Sequence, residues 1–228
     1  GGSQLADSAI SGQTALGAEP ADTDEFLVSD AGTLKRVDYS YIKAPAGGAW
    51  NKLVRKTVTT GDTIIEFDDS TASEWFSSDY TTYKLIISGL QINETTATNK
   101  ELHMLMSTGG SYATSNYEGS SWGYLASNTD WSTGVNGGTS DIRITYDNIG
   151  GNTGEQSNWE FTFEDPLGTD NYKSVRWDGL NIDHNGQARY DMGVAQLKVE
   201  TVLDAFKFYL ESDFEFRDGT ATLYGITY

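Results

Sequence analysis

The heptapeptide "NWEFTFE" (158–164) alternates apolar and polar side chains without a fault. Trp159, Phe161 and Phe163 fall on one side, and Glu160, Thr162 and Glu164 on the other. A period of two belongs to a strand with one buried face, whereas a helix would scatter those rings around its circumference. The same alternation recurs along the chain. "ELHMLMS" (101–107) sets Leu102, Met104 and Met106 on one face, and "AFKFYLE" (205–211) does so with Phe206, Phe208 and Leu210. "DIRITY" (141–146) places Ile142, Ile144 and Tyr146 together, opposite Arg143 and Thr145. "DTIIEF" (62–67) and "YKLIISGL" (83–90) read as strands, and "FEFRDGTATLYGI" (214–226) as a hairpin turning at "DG". Further strands are expected at 52–59, 111–117, 122–127, 172–177 and 187–197. About a dozen strands and no amphipathic helix predict an all-β fold. An antiparallel β-sandwich of jelly-roll or lectin-like type fits best. No repeat at a fixed period points to a propeller, solenoid or shaft.

Composition narrows the function. The 33 acidic and 15 basic residues give a formal charge of -18, which repels phosphate backbones and argues against nucleic acid as a partner. Zero cysteines remove disulfides and thiolate metal sites together. No apolar run approaches the roughly 18 residues of a membrane span, and "GGSQLADSAI" carries neither a basic nor an apolar signal region.

Residues 1–23 are small and polar and read as an extended leader. "DEFLVSDAGTLKRVDYSYIKA" (24–44) reads as strand, turn, strand and a stub of helix, with "SDAGT" as the turn and Asp38 as the helix cap. It concentrates Phe26, Leu27, Val28, Leu34, Val37, Tyr39, Tyr41 and Ile42 in a module too small to fold alone. Those apolar groups must be covered by something outside the module, and packing between subunits is the favoured expectation. "APAGGA" (44–49) is a linker. The predicted organisation is an attachment and oligomerisation segment (1–43), the linker, and a sandwich domain (50–228).

"TDEFLVSDAGTLKRVDYSYIK", preceded by "ALGAEPA", resembles a short module of bacteriophage virion proteins, marine and cyanobacterial phages especially. The stretch "YKLIISGLQINETTATNKELHMLMSTGG" (83–110), followed by "SYATSNYEG" (111–119) and closing on "FRDGTATLYGITY" (216–228), is similar to distal domains of tail fibers and head fibers. The resemblance covers most of the chain from about residue 14. It implies a structural protein on the virion surface, a homotrimer contacting other virion proteins through its N-terminal segment, and a distal domain displayed for host-surface adhesion. The preferred reading is a non-enzymatic protein. The alternative is a carbohydrate-binding module or glycoside-active enzyme on a concanavalin-like sandwich.

For a glycan ligand, "NYEGSSWGYLASNTDW" (116–131) offers Tyr117, Trp122, Tyr124 and Trp131 among Gly, Ser and Asn. Amphipathic rings give large contact area at low entropy cost. Equally, Trp122 and Tyr124 could be a core or cross-strand pair. Tyr172 and Trp177 are weaker candidates. No cofactor is expected beyond a structural Ca²⁺, for which Asp183 and Asn185 in "NIDHNG" and Asp165, Asp170 and Asn171 in "DPLGTDN" offer oxygen ligands. The same residues are also what turns require for their own backbones. Catalytic residues are not expected. Glu160 and Glu164 sit about 13–14 Å apart along one strand, beyond the roughly 6.5–9.5 Å of inverting glycosidases. His103 and His184 show no triad context.

Overall fold

The computed structural model describes residues 14, 16–18, 20–42, 50–68, 75–93, 100–126, 131–211 and 214–227, with backbone alone for 131–139. The chain divides into two compact units, Gly1–Gly47 and Gly48–Tyr228. The division falls within the predicted linker, which lies outside the described residues, as does most of the leader.

In the first unit, β1 (Glu25–Asp30) pairs antiparallel with β2 (Thr33–Asp38), and α1 (Tyr39–Ile42) follows. Ala31 (φ 49°) and Gly32 (φ 84°) make the two-residue turn, whose positive angles match the twist of the strands. The amides of Tyr39 and Ser40 donate to the carbonyls of Asp24 and Asp22, so the preceding segment supplies the cap expected of Asp38. The register puts Phe26, Val28 and Val37 on one face and Leu27 and Leu34 on the other. Both faces carry apolar groups in water: Leu27 and Leu34 are 66% and 65% exposed on one, and Phe26 and Val28 are each 38% exposed on the other. Each face also carries one ion pair, Lys35 with Asp30 and Arg36 with Glu25.

The second unit is an antiparallel β-sandwich. Its larger sheet runs in the order β3 (Trp50–Thr59), β15 (Phe216–Ile226), β5 (Thr82–Ile92), β11 (Ser157–Glu164), β12 (Lys173–Ile182), β13 (Ala188–Leu197), β8 (Tyr117–Leu125) and β9 (Trp131–Thr139). The smaller sheet runs β10 (Ile142–Arg143), β6 (Leu102–Thr108), β14 (Ala205–Leu210) and β4 (Ile64–Asp68), with β7 (Ser111–Tyr112) beside β6. The alternating rings meet between the sheets: Phe161 packs on Phe208 at 4.8 Å and Phe163 stacks on Phe206 at 4.6 Å between centroids. Phe206 also stacks on Phe67 at 4.9 Å. Leu102, Met104 and Met106 join them, fully buried.

Two expectations are corrected. Residues 216–226 are one continuous strand, not a hairpin, because the positive φ of Gly219 (137°) is absorbed by β-bulges against β5. A Cβ there would stand 3.0 Å from the Leu90 backbone. The 141–146 strand shrinks to Ile142–Arg143, since the chain then turns so that the Thr145 hydroxyl accepts the Leu102 amide and Thr145 is buried.

Packing inside β13 is equally tight. A Cβ on Gly193 would stand 2.2 Å from the Trp177 ring, which is fixed by its indole N–H donating to the Ile144 carbonyl at 3.0 Å. Gly193→Ala is therefore expected to cost about 1–3 kcal/mol, read as a lowered urea midpoint at unchanged slope; an unshifted midpoint would contradict this packing.

Candidate functional site

The outward face of the larger sheet is where polar and aromatic side chains converge. Following the register across it, Glu160, Asp178, Met192 and Trp122 form one row. The next row is Lys84, Thr162, Arg176, Val194 and Ser120. Beyond it lie Glu164, Ser174, Gln196 and Glu118. On the other side of the Trp122 row lie Leu180, Tyr190 and Tyr124.

Two concavities open on this face. The larger, about 620 Å³, is bounded by Glu118, Ser120, Glu164, Ser174 and Gln196. The smaller, about 310 Å³, is bounded by Trp122, Glu160, Asp178, Tyr190 and Met192. Thr162, Arg176 and Val194 line both, so the two form one continuous depression. Val194, Leu180 and Tyr190 are 51%, 43% and 40% exposed.

Ion pairs hold the charged side chains in place. Lys84 pairs with Glu160, Lys198 with Glu118, and Arg176 with Glu164 at 3.6 Å. The Tyr190 hydroxyl donates to Asp178 at 2.9 Å, and the Thr82 hydroxyl to Glu164 at 2.8 Å. Burial, together with the Arg176 charge, lowers the Lys84 ammonium below its ordinary value, although Asp178 and Glu164 act the other way.

The predicted glycan residues divide between two faces. Trp122 and Tyr124 lie on the outward face beside the smaller concavity, and Trp131 is the register partner of Tyr124. The Trp131 side chain lies outside the described residues. Tyr117 faces inward and is fully buried, its hydroxyl donating to the Met106 carbonyl and accepting the Met106 amide. It is therefore a core residue and does not belong to a surface cluster. Trp177 is buried as well, and Tyr172 is exposed just ahead of β12. Tyr190, Val194 and Arg176 are the residues that the sequence reading missed.

Sequence alternation in "ARYDMGVAQL" would turn Tyr190, Met192 and Val194 inward and leave Arg189 and Asp191 in water. The register does the opposite. Arg189 and Asp191 are 5% and 0% exposed, between the sheets. Arg189 donates to Asp147 at 3.0 Å, and a Cβ on Gly123 would stand 2.7 Å from Asp191 Oδ1 and 3.0 Å from Arg189 Nη1. Burial pushes the Asp191 carboxyl up to about 7 against the opposing pull of Arg189. A local rule is broken here to put apolar side chains on the surface.

Glu160 and Asp178 are register partners, which sets their Cβ atoms about 5 Å apart. Both are already engaged, Glu160 by Lys84 and Asp178 by Tyr190.

Two of the calcium candidates, Asp183 and Asp165, sit in turns that use their side-chain oxygens. Asp183 Oδ1 accepts the amides of Asn185 and Gln187, each at 2.9 Å, and Gly186 (φ 72°) closes the loop. Asp165 (φ 45°) accepts the Asn171 amide side chain at 3.3 Å, and Asp170 is exposed nearby.

A second ionisable cluster lies on the smaller sheet. His103 stands 3.3 Å from Asp141 and 3.8 Å from Glu101. Burial opposes its charge, but the two carboxylates outweigh that and raise the imidazole to about 9. Glu101, His103 and Glu211 offer ligand atoms within 4.8 Å of one another, yet Arg143 already holds Glu101. Because the folded value exceeds the ordinary 6.5, the stabilisation is complete below pH 6.5 and is lost as pH rises through about 9. Unfolding midpoints across that window should fall with pH in the wild type and flatten in His103→Gln; parallel curves would refute the assignment.

No protein-family model matches the chain, and no curated protein or solved structure matches it.

Proposed function

We propose that the chain is a non-enzymatic structural protein of a tailed bacteriophage particle, a trimeric fiber or appendage on the virion surface. Its hairpin unit joins copies to one another and to neighbouring virion proteins, and its sandwich is displayed for adhesion to host-surface glycan. The observation that carries this reading is the hairpin unit itself: a separate body with apolar side chains exposed on both faces. A two-stranded hairpin of that kind gains stability only when other surfaces cover it. The resemblance of the same residues to phage virion modules supplies the setting. The reading invokes no cofactor, and the acidic charge disfavours nucleic acid.

Cryo-EM and quantitative mass spectrometry of purified particles of the phage that encodes the chain test the proposal. A defined copy number at an appendage is expected; a protein abundant in the lysate and missing from the particles would overturn it. The second reading, a carbohydrate-binding module or glycoside-active enzyme, is favoured by one observation, the register pairing of two acidic residues, Glu160 and Asp178, on the outward face. Polysaccharide turnover that disappears in Glu160→Gln would establish it.

A further inference from the structure

We propose that the depression on the larger sheet binds an uncharged polysaccharide laid lengthwise along β12 and β13, with Tyr190 and Trp122 as its stacking platform. The inference rests on the reading of the sandwich as the adhesive domain, and it specifies the site and the class of glycan.

Three observations converge on it. First, the depression is long. From Tyr190 to Gln196, six residues along β13, it extends about 20 Å, room for several sugar rings in a row. Second, its floor is apolar by inversion of the strand pattern. Tyr190 and Val194 face water while Arg189 and Asp191 are buried, an arrangement that costs the fold stability. An exposed ring flanked by aliphatic groups suits the C–H faces of a sugar, and the hydroxyl of Tyr190 stays tied to Asp178 at 2.9 Å. Third, this face carries no surplus of positive charge, its one carboxylate outside an ion pair, Asp178, being held by the Tyr190 hydroxyl. Lys84, Lys198 and Arg176 each hold a carboxylate, so the wall presents fixed hydrogen-bonding groups without a surplus of positive charge. The chain as a whole carries -18, which repels an anionic polymer. Arg176, lining both parts of the depression, is placed to bond ring hydroxyls at its centre.

Affinity electrophoresis of the full chain tests this, using gels that contain laminarin, dextran or galactomannan as neutral polymers and alginate, dextran sulfate or chitosan as charged ones. Retardation by at least one neutral polymer is expected, equal at about 0.1 and 0.5 M salt. Tyr190→Ala and Trp122→Ala should each weaken it about tenfold or more, and Val194→Glu should abolish it by placing a charge in the floor. Ile64→Ala, an exposed position on the smaller sheet, should leave it unchanged. Circular dichroism of each variant confirms that it is folded. Retardation only by charged polymers and fading with salt would overturn the inference, as would neutral binding that survives all three changes in the depression. Both of those results leave the adhesive reading standing, whereas no retardation by any polymer would sink the two together.

Discussion

Arg189→Met is expected to destabilise the sandwich by about 3–5 kcal/mol, the usual cost of removing one partner from a buried charge cluster. The side chain is 5% exposed, it holds Asp147 at 3.0 Å, and it is the cation that offsets the burial of Asp191. Methionine fills much of the volume, so the loss reports the charge and not a cavity. The companion variant Arg189→Met/Asp191→Leu removes both charges from the interior and should recover a large part of the loss, since a buried pair replaced by apolar groups is often neutral. The pH dependence carries a further sign. A buried acid raised to about 7 contributes stability that is complete below its ordinary 3.8 and is lost as pH rises through 7. Asp191→Asn should remove that slope. A single variant within about 0.5 kcal/mol of wild type would show that the inward placement of β13 is wrong.

The second large effect concerns the hairpin. Leu27→Ser/Leu34→Ser should convert an assembly into single chains. Both leucines lie on one face and keep about two-thirds of their surface in water, 66% and 65%. Covering the pair is worth about 2–4 kcal/mol per copy, enough to move association by orders of magnitude. Because neither leucine is buried within the chain, the change should leave the thermal stability of the sandwich unaltered. Loss of assembly with an intact sandwich is the expected pair of results. An unchanged mass would show that this face is not the contact.

What the sequence disclosed follows from how strands alternate. Where one face is strongly apolar, as in β11, β14 and β6, the inward residues were legible, and Trp159, Phe161, Phe163, Phe206, Phe208 and Met104 are all buried. The hairpin turn was legible because Gly32 sits between two apolar runs and takes a positive φ freely, although Ala31 beside it is an uncommon residue at 49°. The site was only half legible. Tyr117 and Trp122 differ by an odd number of positions, so an unbroken strand must send them to opposite faces, and proximity in sequence concealed that. Tyr190 and Val194 were hidden for a different reason. Their strand is apolar on one face and charged on the other, and binary pattern assigns the charged face to water. Only tertiary context, an inward Gly123 and Gly179 making room beside Asp191, reverses the assignment. The bulged β15 went unread because "DG" serves a turn and a bulge equally well.

Multi-angle light scattering on the 228-residue chain is the direct test of whether the hairpin unit brings copies together. A single species at a multiple of 24.9 kDa is expected, three copies for the proposed trimer. A species of 24.9 kDa that persists as concentration is raised would contradict it.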